Sequence, residues 1–273
     1  MGLTINTNVP SLNAQRHLAE TTNSLNRSLE RLSSGLRINS ASDDAAGLAI
    51  ADKLRADTRI ASQAIRNAND GISALSIGEQ AIGKTGEILT RLGELASEAA
   101  SGLISDTQRS AIQEEFGALV SEVNRISNTT TFNGVNLLSG GTTVALQVGL
   151  DGSANSRISF TTIDASSSGI GLSNISVSTS AAAQSALGAI TSAIATVAQR
   201  RGTIGAIESR LNTAIDNLRV ARENFSAAES RIRDVDVAEE TANLTRTTIL
   251  QQAGVAVLAQ ANQQPSLALT LLR

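Results

Sequence analysis

The sequence predicts a mainly α-helical chain in which long coiled-coil helices from both termini pair antiparallel and a small β-hairpin sits in the middle segment. Three observations carry that expectation. Apolar residues recur at alternating spacings of three and four over long stretches near each end, the pattern of a coiled-coil seam. Both prolines, Pro10 and Pro265, stand close to a terminus, so the interior lacks the strongest helix breaker. The stretch from Ile126 to Gln199 carries only Asp151, Arg157 and Asp164 as charged side chains, which sets a polar, neutral middle apart from two charged, periodic flanks.

The elements follow in order. Leu18, Thr22, Leu25, Leu29, Leu32 and Leu36 form the first seam. Gly35 is placed to end that helix, and Asn39 to Asp44 offer an N-cap with acids in the first turn of the next. Capping suits Asp43 and Asp44 better than paired-carboxylate chemistry, because adjacent side chains on a helix point about 100° apart. A second series runs Ala61, Ile65, Ala68, Ile72, Leu75, Glu79, Ile82, Gly86, Leu89, Gly93, Ala96, Ala100, with Glu79 as its polar exception. Ser101-Gly102 breaks it, and Asp106 opens an amphipathic helix through Ile112, Phe116, Leu119 and Val123 to Ile126. Val144–Gly149 and Arg157–Ile163 read as two β-prone runs around a turn, and Gly169 to Gln184 as a surface loop. The last series is the longest: Leu187, Ile190, Ile194, Val197, Arg201, Ile204, Ile207, Leu211, Ala214, Leu218, Ala221, Phe225, Ala228, Ile232 and Val235. A helix over that span is roughly 73 Å long, and a stripe so narrow must lie along another long helix, in the same chain or in further copies.

Composition removes several chemistries. The 273 residues include no Cys, Trp or Tyr, one His and four Phe, with hydrophobic residues at 41 %; the core is therefore aliphatic. Thiolate chemistry, cysteine-bound metals and multi-histidine zinc sites are excluded, and a Ser-His-Asp centre is difficult with His17 as the sole imidazole. Formal net charge is −3 and 20 of the 22 basic residues are Arg. A chain with neither a basic groove nor stacking residues does not fit single-stranded nucleic acid. No basic start followed by an apolar stretch marks a secretory signal, no run of about 18 apolar residues marks a membrane span, and Asn6 stands where a myristoylation motif wants Ser or Thr.

One catalytic pattern matches. Gly78-Glu79-Gln80-Ala81-Ile82-Gly83-Lys84-Thr85 satisfies the phosphate-loop spacing, but Ile72, Leu75 and Ile82 belong to a helical repeat that runs through it, so a helix is expected there in place of a strand and loop. His17, Glu114-Glu115 and Glu239-Glu240 read as solvated faces or ion-pair partners. No catalytic residue, cofactor site or metal site is expected.

The terminal blocks then carry a resemblance. Thr4-Ile5-Asn6-Thr7-Asn8, SLNRSLERLSSGLRINSASDDAAGLAIADKLRA from Ser24, IRNANDGISALSIGEQA from Ile65, TTFNGVNLL from Thr130, and the closing ARENFSAAESRIRDVDVAEETANL and QANQQPSLALTLLR resemble bacterial flagellin over about residues 1–150 and 185–273. The resemblance implies a structural subunit that polymerises through its terminal helices into the filament used for motility. It implies an inner, channel-lining helical domain of residues 1–44 and 235–273, and a rod domain of residues 45–234 that includes the hairpin and loop region at about 140–185. The assembly residues expected are Leu18, Leu25, Leu29, Leu32, Leu36, Ile204, Ile207, Leu211, Leu218, Phe225, Ile232 and Val235. Implied partners are further copies of the chain, a flagellar export chaperone, cap and hook-associated proteins, and the Toll-like receptor for flagellin, for which Arg91, Leu95 and Glu115 are the matching positions. Gly93 departs from the family pattern, which usually has Arg there. Nucleic acid and membrane insertion are not implied; secretion without a cleaved signal through the flagellar type III apparatus to an extracellular filament is. The alternatives are a hook–filament junction protein, which shares terminal heptads, and a P-loop nucleotide-binding protein.

Overall fold

The computed structural model describes residues 7–271, with side-chain surroundings for residues 7–264. Thr4, Ile5 and Asn6 of the first motif, the stretch weighed for myristoylation and the outermost residues of the expected inner domain lie outside the described residues. Among the described residues five α-helices dominate: α1 (Val9–Ser34), α2 (Ala45–Ala100), α3 (Asp106–Thr129), α4 (Ser180–Arg233) and α5 (Val237–Leu271). Between α3 and α4 lie two antiparallel strand pairs, β1 (Thr131–Phe132) with β2 (Val135–Asn136) and β3 (Thr143–Gln147) with β4 (Arg157–Thr161). The chain divides into a terminal unit, residues up to 56 with those from 224 onward, and a middle unit, residues 57–223.

In the terminal unit α1 lies antiparallel to α5. Asn8 caps α1 by accepting from the Ser11 N–H, with Pro10 in the first turn, where its missing N–H costs nothing. The same Asn8 donates through Nδ2 to the Ala261 carbonyl at 2.8 Å. At the other end Gly35, at φ +72°, closes α1 in the left-handed region, as its position in the sequence predicts. There the Arg37 N–H donates to the Arg233 carbonyl and the Val235 N–H to the Gly35 carbonyl, at 2.6 and 3.1 Å.

The Asn39–Asp44 corner caps α2 differently from expectation. Neither acid enters the first turn. Asp44 is the cap itself, taking the Gly47 N–H at 2.9 Å, while Asp43 Oδ2 accepts from the Asn39 and Ser40 N–H groups and the Ser40 hydroxyl. The two carboxylates thus serve separate donors.

The middle unit pairs α2 antiparallel with α4. Ser180 Oγ donates to the Ala100 carbonyl, Arg201 pairs with Glu79 at 2.6 Å, and Leu218 clusters with Ala61 and Ala64. The two polar exceptions of the long series therefore satisfy each other across the seam. Ile82, Leu89, Leu92, Leu95, Ile190 and Leu211 fill the interface, and α3 adds Phe116 and Val123. A capping box of Ser105 and Gln108 starts α3, and the buried Arg109 ties the turn together by donating to the Ala99 and Ile104 carbonyls.

Three expectations need correcting. The hairpin falls where predicted, with Val144 opposite Phe160 and Leu146 opposite Ile158, but a second, shorter one at 131–136 precedes it. It turns on Asn133 and Gly134 at φ +47° and +79°, the two left-handed residues of a two-residue hairpin loop. Gly169–Gln184 is not a surface loop: Ile170, Leu172 and Val177 are buried in the core, Gln113 accepts from the Val177 N–H, and α4 has already begun at Ser180. Between them Gly171, Ser173 and Asn174 are exposed, so the apolar side chains turn inward while the small and polar residues face out. Finally, one 18-residue window of α4 has mean hydropathy 1.4, enough by length and composition to cross a membrane. On that helix Ala183, Ala186, Ile190, Ala193 and Val197 are buried within the unit, and 28 % of the window is buried in all.

Candidate assembly surface

The terminal unit has an unusual distribution of side-chain size. The α1 residues turned toward α5 are Ser11, Ala14, Leu18, Thr21, Leu25, Ser28 and Leu32, and those of α5 turned back are Glu240, Leu244, Thr247, Gln251, Gly254, Leu258 and Ala261, all buried or half-buried. Both rows keep a strict alternation of three and four, so the pairing is a heptad seam. More than half of its positions are small or polar. Leu18 meets Gly254, and Glu240, 7 % exposed, reaches Arg31 at 3.7 Å.

Many of the unit's large aliphatic side chains sit on the outside. Val9, Leu12, Leu29, Ile50, Val237, Ile249, Leu250, Val255 and Val257 are each at least 49 % exposed. On α5 these residues and the inward Leu244 and Leu258 together cover much of the helix circumference, a distribution proper to a helix buried on every side. Large aliphatic side chains left exposed in this number point to an interaction surface.

The structure distributes the predicted residues unevenly. Leu18, Leu25, Leu32 and Leu36 are half-buried along the inner face of α1 or just past its end, whereas Leu29 points outward at 49 % exposure, its seam place taken by Ser28. Ile204, Leu211 and Leu218 are buried in the middle unit and Ile207 is half-buried; Phe225, Ile232 and Val235 are half-buried in the terminal unit. Arg91 and Glu115 are exposed and paired at 2.9 Å, with Arg91 also bound to Glu94. Leu95, at 2 % exposure, belongs to the core and presents no surface. The α5 seam is absent from the expectations because Glu240, Thr247, Gln251 and Gly254 hide it from a reading of apolar residues alone; only its spacing betrays it.

The phosphate-loop pattern lies wholly inside α2. A helix commits its backbone N–H groups to carbonyls four residues back, leaving none to cradle phosphate. Thr85, fully buried, donates to the Ala81 carbonyl, and Lys84 pairs with Glu87. His17 sits on the exposed face of α1 beside Glu20. Among the described residues no group of three or more metal-ligating side chains converges.

Comparison with known proteins agrees with this geometry. Residues 5–143 match the bacterial flagellin N-terminal helical region and residues 187–272 the bacterial flagellin C-terminal helical region. The flagellin of Halalkalibacterium halodurans is 44 % identical over 98 % of this chain and 99 % of its own. The crystal structure of Bacillus cereus flagellin is 26 % identical with a TM-score of 0.51, over 56 % of this chain and 88 % of that one. A structure assigned to a flagellar hook-associated protein of Vibrio parahaemolyticus covers 70 % of this chain and all of its own at a TM-score of 0.59, but at 15 % identity the likeness is of fold alone. The chain belongs to the bacterial flagellins, a structural rather than enzymatic family whose members build the flagellar filament.

Proposed function

We propose that the terminal unit is the polymerising element of this filament subunit and completes its own packing only against other copies. One observation carries the reading: the α1–α5 seam is filled largely with Ser, Thr, Gln, Gly and Glu, while Val9, Leu12, Leu29, Ile249, Leu250, Val255 and Val257 stand outside. Burying such side chains contributes about 25 cal/mol per Å² of apolar surface, so the favourable term is realised between chains. Contacts joining different patches on successive copies do not close on themselves and generate a helix.

On this reading residues 1–44 and 235–273 form the channel-lining inner domain and residues 45–234 the rod, and Leu29 acts between subunits. The chain works without catalytic activity or cofactor. It leaves the cell through the flagellar export apparatus with a chaperone, joins cap and hook-associated proteins at the filament ends, and functions extracellularly without membrane insertion. A contact with the Toll-like receptor for flagellin rests here on Arg91 and Glu115, since Leu95 is buried. Limited proteolysis and circular dichroism of monomer against filament test the central point. Termini that are cut in the monomer and resistant in the filament are expected; termini equally resistant in both overturn it.

A further inference from the structure

Two surfaces of the middle unit stand open with nothing of the same chain against them. The first is a groove along α2 and the last turns of α3, whose two overlapping lobes hold ≈ 500 and ≈ 440 Å³. Each has the volume of roughly fifteen waters at about 30 Å³ apiece, ample for an aliphatic side chain. Ile77, Ala81, Ile88 and Ile126 give the groove apolar walls, and Ile77 is 40 % exposed. The ions on its rim already satisfy one another, Lys84 with Glu87 at 2.9 Å and Glu122 with Arg125 at 2.6 Å. The second surface is the outer side of α4. No charged residue stands between Asp164 and Arg200, yet the α4 window with mean hydropathy 1.4 is only 28 % buried. Ile194, 40 % exposed, is the exposed large aliphatic residue of that charge-free stretch. Each surface also holds a helix glycine, Gly83 and Gly188, where an added Cβ would meet nothing within 4 Å. Glycine weakens a helix interior, and no neighbour in the chain uses the space it leaves.

We infer that the outer side of α4 of one copy lies in the α2–α3 groove of a second, with Ile194 seated over Ala81, which both lobes share, and the two glycines letting the backbones approach. Charge selects this occupant. A groove whose rim ions are already paired offers no partner to a further ion, and burying an unpaired one is costly. Elsewhere in the middle unit the exposed helix faces carry ions, Arg59, Arg66 and Asp70 on α2 and Glu114 and Glu115 on α3, whereas α4 carries none from Ser180 to Gln199. Groove and α4 of one chain also look away from each other. Ile77, Ala81 and Lys84 lie about half a turn around α2 from Glu79 and Gly86, which face Arg201 and Val197 of α4. Joining them between chains therefore matches two different patches, the kind of contact that need not close and that a filament repeats. The inference rests on the reading of the chain as a filament subunit and adds a contact of the middle unit to that of the terminal unit.

Sedimentation of seeded filaments tests it. Ile194→Glu sets an ion against a rim with no free counter-charge and raises the critical concentration for assembly about tenfold; adding Glu87→Gln, which frees Lys84, brings it back to within about threefold of the parent. Normal assembly of Ile194→Glu, or a double variant without recovery, overturns the contact. Because the chain has no cysteine, an Ala81→Cys, Ile194→Cys double variant gives a second readout. Its oxidised filaments yield a ladder of disulfide-linked multimers, whereas either single variant yields none; filaments of the double variant without a ladder overturn the contact. Monomer circular dichroism checks folding, and if Ile194→Glu loses helicity the cross-link decides alone. Leu250→Asp separates this contact from the terminal reading. If it still polymerises and the ladder persists, the terminal reading fails and the groove contact stands; if it abolishes pelleting while Ile194→Glu assembles normally, the reverse holds.

Discussion

The two units are both antiparallel helix pairs held by heptad seams, yet they differ in what fills those seams. Every buried residue of the two hydrophobic clusters lies between Ala61 and Leu218, inside the middle unit. The terminal unit buries Ser11, Ala14, Ser28, Ile38, Ala51, Glu240 and Ala261, so that Ile38 is its single fully buried large aliphatic among the described residues, and leaves nine others exposed. Spacing therefore decides which helices pair, and side-chain volume decides whether a pair stands alone. A subunit that must wait for its neighbours keeps the first and weakens the second.

The strongest way to break this contrast is to cut into each unit. Phe116→Ala removes a side chain 1 % exposed in the middle core and is expected to destabilise the monomer by about 3–5 kcal/mol in urea unfolding. Leu250→Ala removes one 52 % exposed and should change monomer stability by about 0.5 kcal/mol or less while weakening polymerisation. Equal losses in the monomer would erase the distinction.

The converse experiment fills the terminal seam. With Leu18 against Gly254 and Arg31 against Glu240, the register sets Thr21 opposite Gln251. Thr21→Leu with Gln251→Leu adds an aliphatic layer there and is expected to stabilise the isolated pair by about 2 kcal/mol, read as protease resistance of the monomer termini. If the termini stay as labile as before, seam filling is not what separates the units.

Ion pairs sharpen the comparison at smaller scale. Glu79→Ala breaks a pair whose side chains are 35 % and 51 % exposed and should cost about 0.2–1 kcal/mol. Glu240→Ala breaks one whose carboxylate side chain is 9 % exposed and strands Arg31 against α5, at about 1–3 kcal/mol. Double-mutant cycles with Arg201 and Arg31 measure both; a larger coupling at Glu79 would contradict the burial argument.

Sequence periodicity was most legible where the two rules coincide. The long series of α2 and α4 named the core, and even Glu79 and Arg201 were visible as irregularities before the structure paired them. Legibility failed where small polar residues hold seam positions. Leu29 reads as seam because it is leucine, yet Ser28 occupies that place, and the α5 row is nearly invisible to an apolar count. Likewise Asn133-Gly134 was the available signal for the first hairpin, and serines disguised Ile170, Leu172 and Val177 as loop residues. In each case local composition misreported burial that only the partner element determines.

The smallest effect concerns two turn aspartates, one in each unit. Asp43 is held below its ordinary pKa of 3.8 chiefly by the Ser40 N–H and hydroxyl, then by the Asn39 N–H. Asp151 is held below the same value chiefly by the Ser156 hydroxyl, then by the Ser153 hydroxyl and N–H. A carboxylate depressed on folding stabilises fully above its unfolded pKa and ceases to do so as pH falls through the lower folded value. Both turns should therefore hold unchanged above pH 3.8 and loosen below it. The Ser40 and Ser153 amide protons followed by NMR are expected to shift with inflections under that value. Asp43→Asn should abolish the Ser40 inflection and leave that of Ser153 in place, because each carboxylate binds only donors of its own turn. A common inflection for both amides that survives Asp43→Asn would mean that acid acts on the units together, and the independence argued from their separate packing would fall.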